Sequence, residues 1–298
     1  MNKSITVIGG VNMDISAALT APFVPADSVP GQVTLGCGGV ARNIAHNLQL
    51  MGHEVRFVSV FGGETFGEMC WQECQTIGLD LTLSERCEGM RNGLYLCVND
   101  QTGDMIAAVA DTDIISHITP EFLASRIDAI NESALAIADT NLSIKSLQYL
   151  IDHCTVPLVI DTVSTAKAPR IIKALQQSEK KSILALKLNF QEAQAVTHCS
   201  TAREAADNLT ATGVHQVYIT LGSDGVHCSD GTRHEHLKAI PSRVINTTGA
   251  GDAFIAGVAH AIMQNTPFPN CAQTGLKAAH ATLLSLHTVN PEIMNYLN

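Results

Sequence analysis

Short apolar runs typical of β-strands alternate with helical patterns along most of this 298-residue chain. The strand-like runs cover residues 5–8, 55–60, 134–138, 158–160, 183–186 and 217–220. The helical patterns lie near residues 41–50, 67–76, 120–130, 143–152, 201–211, 251–263 and 273–286. Regular alternation of this kind predicts an α/β fold, in which helices cover both faces of a mostly parallel sheet.

Two stretches interrupt the alternation. Residues 14–35 contain three prolines and short alternating runs, and residues 93–110 contain two strand-like runs joined by a turn at 99–103. Strands without an intervening helix predict a small antiparallel sheet that projects from the main one. We therefore expect two units, a main domain and a small β unit. The main domain would comprise residues 1–11, 36–92 and 112–298. The small β unit would comprise residues 12–35 and 93–111.

The composition limits the classes of partner and the compartment. A net charge of −10 disfavours nucleic acid and anionic membranes, because contacts to phosphates need clustered Lys and Arg. No apolar stretch reaches the length of about 18 residues that a membrane-spanning helix needs. The first residues lead directly into a strand-like run and lack the pattern of a secretory signal, so we expect a cytoplasmic protein.

Some residues are expected to be structural. The nine cysteines are scattered and odd in number, which indicates free thiols in a reducing compartment. Cys70 and Cys74 lie four residues apart on a predicted helix, and we expect them in the core rather than on a metal ion. Arg42 is interpreted as a surface cation.

A glycine-rich turn at the start of a predicted helix marks the candidate catalytic site. It follows a β-like run at 243–245 and reads Thr-Thr-Gly-Ala-Gly-Asp-Ala-Phe. The backbone N–H groups of Gly249, Ala250 and Gly251, with the positive end of the helix dipole, would bind an anion. A carboxylate beside such a site makes sense in phosphoryl transfer, where Asp252 would orient and deprotonate the attacking hydroxyl. Ordinary helix capping is the alternative.

A second group of residues would bind an acceptor rich in hydroxyl groups. Asn12 and Asp14 follow the first predicted strand, and ligands of open α/β sheets bind beyond the carboxyl ends of the strands. Carboxylate and amide groups suit a pair of vicinal hydroxyls. Gly38 and Gly39 would let the backbone approach a sugar closely, and Asn43, one turn into the next helix, would reach the same hydroxyls. A plain turn at Asp14 is the alternative.

Four ordered motifs resemble those of the ribokinase-like (PfkB) carbohydrate kinases. They are the glycine-pair segment 37–45, the Asn-x-x-Glu element at 187–192, the turn 220–225 and the glycine-rich octet 247–254. The resemblance extends over nearly the whole chain. It implies a three-layer α/β/α fold with a mostly parallel central sheet, in which the small β unit is a lid over the substrate. It also implies an ATP-dependent kinase with Asp252 as the catalytic base.

The same resemblance implies sites for ATP and its cations. Glu192 and Asn189 would order water molecules around Mg²⁺ on ATP, although this pair could equally form a helix capping box. Lys187 would lie near the phosphates. The nucleotide groove would be shaped by Thr220, Gly222 and Gly225.

A monovalent cation, K⁺, is expected beside the anion hole. Its ligands would be the side chain of Asn246 and the carbonyl oxygen of Thr248. The family usually has Asp where this chain has Asn246, which removes a charge but keeps an oxygen ligand. We therefore expect a weaker site.

Within the family, segments 38–48, 103–114, 161–164 and 246–249 are most similar to the pseudouridine kinases. This resemblance implies transfer of the ATP γ-phosphate to the 5′-hydroxyl of pseudouridine. Asp111 and Asp113 would be polar partners of the base, with a polar loop leading into a helix as the alternative. Another nucleoside or a sugar is the alternative acceptor, and a non-catalytic sensor of such a ligand is the alternative function. Lids of this family often pair, which would make the protein a homodimer.

Overall fold

The computed structural model describes residues 4–297. Its strands are β1 Ile5–Ile8, β2 Asn12–Leu19, β3 Gly31–Gly38, β4 Val55–Val58, β5 Val60–Gly62, β6 Glu85–Cys87, β7 Gly93–Asn99, β8 Met105–Asp111, β9 Leu135–Asp139, β10 Leu158–Asp161, β11 Ile183–Asn189, β12 Val214–Thr220, β13 Val226–Ser229 and β14 His234–Leu237. Its α-helices are α1 Val40–Leu50, α2 Thr65–Thr76, α3 Pro120–Ala124, α4 Ile127–Asn131, α5 Ile144–His153, α6 Pro169–Gln177, α7 Phe190–Thr197, α8 Ala202–Thr210, α9 Ala250–Met263, α10 Cys271–Leu283 and α11 Met294–Leu297.

Eight strands form the main sheet, in the order β14-β13-β12-β11-β10-β9-β1-β4. The six strands from β12 to β4 are parallel, and the hairpin β13–β14 adds an antiparallel edge. Successive residues of β9 contribute to different hydrophobic clusters: Ile137 packs on the side of α1, α9 and α10, and Ala136 on the side of α5, α6 and α8. Helices therefore cover both faces, and the predicted three-layer α/β/α fold is confirmed.

A second, four-stranded sheet has the order β3-β2-β7-β8, and we call it the minor sheet. It is mixed rather than antiparallel as predicted, because its central strands β2 and β7 pair in parallel, whereas β2–β3 and β7–β8 are antiparallel. Asp14 pairs in register with Tyr95 on one side and with Gly36 on the other. The next residue, Ile15, pairs with Leu35, so its side chain points to the opposite surface. We name the two surfaces the Asp14 face and the Ile15 face. The Ile15 face exposes a row of apolar side chains, which includes Leu35, Leu96 and Val109.

Three local expectations need correction or extension. Residues 243–245 form no strand; Val244 and Ile245 are about half exposed in a loop that reaches no neighbouring strand. The pattern at 120–130 is two short helices, α3 and α4, because Arg126 leaves the helical conformation and donates from its guanidinium to the carbonyl of Leu83. Helix α6 was not expected and begins with a proline at its first turn, where proline is tolerated.

Cys70 and Cys74 lie in the hydrophobic core, as predicted, and both are free thiols. Among residues 4–297, no group of three or more His, Cys, Asp or Glu side chains has an arrangement that could hold a metal ion. Over the same residues, no helix is both long and apolar enough to cross a bilayer.

Candidate active site

Charged side chains gather at the carboxyl edge of the main sheet, where the parallel strands end together. Asp161 at the end of β10 pairs in register with Asp139 of β9 on one side and with Lys187 of β11 on the other. All three side chains are buried. The Nζ atom of Lys187 lies 3.0 Å from Oδ2 of Asp161. Sheet register alone therefore brings two carboxylates and one ammonium group into adjacent positions.

The start of helix α9 lies against this row. Gly249 precedes the helix with φ of 83°, and no side chain caps this N-terminus within the described part of the chain. A Cβ on Gly249 would overlap the backbone of Thr288, and a Cβ on Gly251 would lie 2.7 Å from Nζ of Lys187. The turn that contains Ala250 therefore combines the N-terminal amides of a helix with a neighbouring ammonium group, which suits an anion.

The first turn of α1 meets the first turn of α9. Nδ2 of Asn43 donates to Oδ2 of Asp252 at 2.8 Å, across 209 positions of sequence. Gly39 precedes α1 with φ of 104°, and a Cβ there would lie 2.5 Å from the carbonyl oxygen of Gly10. The glycine-pair motif and the glycine-rich octet thus form one site.

Arg42 is buried rather than a surface cation, so that interpretation was wrong. Its guanidinium pairs with Glu73 on α2 and donates to Oδ1 of Asn43 at 3.3 Å. The sequence offered no signal for this contact, because Glu73 belongs to another helix. Arg42 therefore anchors the amide that contacts Asp252.

The minor-sheet residues that were predicted to bind the acceptor lie against Gly38, just before the first turn of α1. The Asn12 side chain donates to the Asp14 carboxylate, and both residues belong to the start of β2. A Cβ on Gly38 would overlap the Asp14 carboxylate, so glycine is required for the carboxylate to occupy this position. Burial raises the pKa of Asp14 to about 6, against the smaller effect of the Asn12 hydrogen bond.

The carboxyl group of Asp252 has an unusually high affinity for protons. Burial, followed by the negative charge of Asp161, raises its pKa to about 7, while the hydrogen bond from Asn43 and the charge of Lys187 act in the opposite direction. Asp139, which accepts from the backbone N–H of Ala41 at 3.1 Å, also has a pKa raised to about 6 by burial. A carboxyl group that titrates near neutrality is suited to accept a proton from a hydroxyl.

Asn189 and Glu192 form the capping box that the sequence allowed. Oδ1 of Asn189 accepts from the Glu192 N–H at 2.8 Å, and the Glu192 carboxylate accepts from the Asn189 N–H at 2.8 Å. Thr162 also donates to this carboxylate, at 2.7 Å, and this contact was not expected. Glu192 is nearly fully buried and raises the pKa of Lys187 through its charge, so it forms part of the charged row.

The turn between β12 and β13 adjoins the capping box. Thr220 pairs in register with Asn189 and donates from its hydroxyl to the carbonyl of Leu188 at 3.3 Å. Gly222 and Gly225 both have positive φ, and a Cβ on Gly225 would overlap the carbonyl of Leu237. This turn is open at Gly222, where an added Cβ would meet nothing within 4 Å.

Asn246 and Thr248 form a small turn immediately before the amides that were predicted to bind an anion. Oδ1 of Asn246 accepts from the backbone N–H of Thr248 at 3.0 Å. This bond uses one lone pair of the amide oxygen and leaves another available to a cation. The turn lies next to Gly249.

Neither Asp111 nor Asp113 belongs to the Asp14 face of the minor sheet. Asp111 pairs in register with Leu94, which places it on the Ile15 face, and it forms an ion pair with Arg91 at 3.0 Å. Asp113 is exposed and begins the 3-10 helix Asp113–His117. By contrast, Tyr95 lies on the Asp14 face directly beside Asp14. The periodicity of β7 could have identified Tyr95, but only once its register with β2 was known.

The fold and this site define a phosphotransferase that acts on a hydroxyl group, and comparison with known proteins identifies its family. Residues 2–293 match the pfkB family of carbohydrate kinases, and the chain belongs to that family.

Three similar proteins illustrate the range of relatives. The chain is 30% identical to a pseudouridine kinase of Escherichia coli K12, over 97% of this chain and 93% of the relative. It is 28% identical to an uncharacterized sugar kinase, YeiI, of the same organism, over 96% of this chain and 80% of the relative. A structure of Arabidopsis thaliana ribokinase complexed with ribose and ATP superposes with a TM-score of 0.82 at 18% identity, covering 100% and 99% of the two chains.

Proposed function

We propose that this kinase transfers the γ-phosphate of ATP to the 5′-hydroxyl of pseudouridine, giving pseudouridine 5′-phosphate and ADP. The observation that supports a kinase most strongly is the contact between Asn43 and Asp252, because it joins an acceptor-binding motif to a proton acceptor. The similarity to a protein named pseudouridine kinase supports the choice of acceptor.

Acceptor binding, proton transfer and stabilisation of the phosphoryl group are carried out by different residues. Asn12, Asp14 and Asn43 hold the ribose hydroxyls against the backbone of Gly38 and Gly39. Asp252 then takes the proton of the 5′-hydroxyl as its oxygen attacks the γ-phosphorus, and the bond to the bridging oxygen of ADP breaks. The amides of Gly249, Ala250 and Gly251 stabilise the charge on the transferred group. Lys187 adds a positive charge beside them.

Two cations would assist this chemistry. The buried carboxylate of Glu192 and the amide of Asn189 offer the oxygen atoms that hydrated Mg²⁺ prefers, and they would hold it through water. Bound there, Mg²⁺ would neutralise part of the negative charge of the ATP phosphates. The side-chain oxygen of Asn246 and the carbonyl of Thr248 suit K⁺, which would stabilise the adjacent amides. Thr220, Gly222 and Gly225 would border the nucleotide.

We further propose that residues 12–35 and 93–111 act as a lid over the acceptor, with the rest of the chain as the kinase domain. The Asp14 face of this lid would contact the acceptor, and the exposed apolar Ile15 face would pair with a second copy, giving a homodimer. For the base, the resemblance suggests Asp111 and Asp113 as hydrogen-bond partners. The register puts Asp111 on the opposite face of the lid, and it favours Tyr95 for contact with the ring face.

A panel assay tests the acceptor. ADP release is measured with pseudouridine, uridine, adenosine, ribose and fructose phosphates, and the product is located by ³¹P NMR. We expect the highest kcat/KM with pseudouridine and phosphorylation at the 5′ position. A preference for uridine, adenosine or a sugar would establish the alternative acceptor, and binding without ADP release would establish the alternative of a sensor.

A further inference from the structure

Asp161 is a buried carboxylate to which the proposed reaction gives no role. It ends β10 with an exposed fraction of 1%. Its Oδ1 accepts from the backbone N–H of Val163 at 2.8 Å, and its Oδ2 faces Nζ of Lys187 at 3.0 Å. Because the backbone holds this carboxylate in place, the carboxylate can in turn hold the flexible ammonium group of Lys187 in one position.

Lys187 has more than one anion within its electrostatic reach. The negative charges of Asp161, Glu192 and Asp252 all act on its ammonium group. The lysine side chain is flexible, so its ammonium group could move among these carboxylates if nothing held it. Its ion pair with Asp161 has Nζ at hydrogen-bond distance from Oδ2. In this position Nζ lies beside Gly251, at the turn that is proposed to bind the anion.

We propose that Asp161 is a positioning residue: its carboxylate holds the Lys187 ammonium group beside Gly251 and keeps it from pairing with Asp252. The cation then remains available to the transferred phosphoryl group, and Asp252 remains available to the acceptor proton. This inference rests on the proposed roles of Lys187 and Asp252, but it does not depend on which acceptor is used.

The charges around Asp252 supply a readout beyond activity. Asp161 on β10 and Asp139 on β9 raise the pKa of Asp252, whereas Lys187 on β11 and the hydrogen bond from Asn43 on α1 lower it. Loss of the Asp161 charge removes one anion and frees the ammonium group to approach Asp252. Both changes lower the pKa of Asp252, so the acid limb of the pH profile should move to lower pH.

The experiment compares Asp161→Asn, Lys187→Met and the double variant, using the full chain and the acceptor preferred by the wild type. For Asp161→Asn we expect kcat to fall by about tenfold or more, with the acceptor KM changed little, and the acid limb of kcat/KM to move down by about one pH unit. In the Lys187→Met background, the same substitution should change kcat less than about threefold, because its effect passes through Lys187. The proposal would be overturned if the losses of kcat in the two single variants multiplied in the double variant. It would also be overturned if Asp161→Asn left both kcat and the acid limb unchanged.

Asp139→Asn is the matched control. It also removes a buried carboxylate at the same sheet edge, but Asp139 bonds to the backbone N–H of Ala41 rather than to Lys187. The losses of kcat caused by Asp139→Asn and by Lys187→Met should multiply when the two substitutions are combined. A coupling as large as that between Asp161→Asn and Lys187→Met would overturn the proposal. If circular dichroism shows that Asp161→Asn does not fold, the proposal is tested by comparing kcat of Lys187→Met with kcat of the double variant. The double variant should still fold, because removing both charges of the ion pair leaves neither of them unpaired. Equal kcat values support the proposal, and a further tenfold loss overturns it.

Failure of the proposed acceptor gives a different result. Wild-type protein would then leave pseudouridine unphosphorylated, while the three variants would still be compared with the acceptor that is phosphorylated, or by their rates of ATP hydrolysis.

Discussion

The carboxyl edge of the main sheet and the Asp14 face of the minor sheet contribute to one site in different ways. At the main edge, Asp139, Asp161 and Lys187 are buried, and their positions follow from the register of parallel strands. On the minor sheet, Asp14 is only partly buried, and the opposite face is exposed and apolar. The rigid edge therefore suits the chemistry of the phosphoryl group, whereas the exposed sheet suits recognition of the acceptor.

This contrast predicts that substitutions at the main edge reduce kcat and that substitutions in the minor sheet raise the acceptor KM. Asp252→Asn should have the largest effect, because it keeps the shape of the side chain but removes the proton acceptor. We expect kcat to fall by about a thousandfold or more, with the dissociation constant of ATP nearly unchanged. Steady-state kinetics and calorimetry measure the two quantities. Wild-type turnover in this variant would refute the assigned mechanism.

The pH dependence should report the buried environment of the main edge. Asp252 must be ionised to accept a proton, and its pKa is raised to about 7. With both substrates below saturation, kcat/KM should fall about tenfold per pH unit below about pH 7, and thus about a hundredfold at about pH 5. An acid limb near the ordinary pKa of aspartate would contradict this environment.

The same shift predicts a change in stability with a defined sign. A carboxyl group whose pKa rises on folding stabilises the fold fully below its unfolded pKa of 3.8, and this stabilisation is lost as the pH rises through about 7. The free energy of unfolding of Asp252→Asn, relative to the wild type, should therefore increase between these two pH values and remain constant above them. Urea denaturation at a series of pH values measures the difference, which would be independent of pH if Asp252 had an ordinary pKa.

Within the minor sheet, Gly38→Ala tests the position of the Asp14 carboxylate. The new Cβ would overlap this carboxylate, so we expect the acceptor KM to rise by about tenfold to a hundredfold. Gly36→Ala is the matched control in the same strand, because a Cβ there would meet nothing within 4 Å. Similar kinetics for the two variants would argue against a role for the Asp14 carboxylate in binding.

Tyr95→Ala tests whether the Asp14 face distinguishes a nucleoside from a sugar. Stacking of a base on an aromatic ring contributes about 1–3 kcal/mol, so the KM for pseudouridine should rise by about tenfold. The KM for ribose, which has no base, should change little. Asp111→Ala is the companion variant. A smaller ratio of kcat/KM for pseudouridine to kcat/KM for uridine would indicate that Asp111 accepts a hydrogen bond from the additional ring N–H of pseudouridine, as the sequence suggested. Equal losses for ribose and pseudouridine in Tyr95→Ala would remove Tyr95 from base recognition.

Replacement of K⁺ should have the smallest effect, because Asn246 supplies an uncharged oxygen. We expect activity in K⁺ to exceed that in tetramethylammonium by only about a fewfold at matched ionic strength. Equal rates in the two salts and in Na⁺ would exclude a functional cation site at Asn246 and Thr248.

The secondary-structure elements and the local chemistry of this protein could largely be predicted from its sequence. Alternating apolar patterns predicted the parallel strands of the main sheet and most of its helices, although not α6, and the glycines at 249 and 251 predicted an open helix N-terminus before Asp252. The capping box of Asn189 and Glu192 could likewise be recognised from residues three positions apart. These features depend on neighbouring residues, so a linear sequence contains the information for them.

Which of these residues contact one another depends on how the chain folds in three dimensions. The contacts of Asn43 with Asp252, Arg42 with Glu73, and Lys187 with Asp161 join distant segments. The register of β8 placed Asp111 on the Ile15 face, and the absence of a neighbouring strand left residues 243–245 as a loop. Such contacts arise from strand pairing and packing across many residues, and the raised pKa of Asp252 arises from the burial and the neighbouring charges that this packing creates.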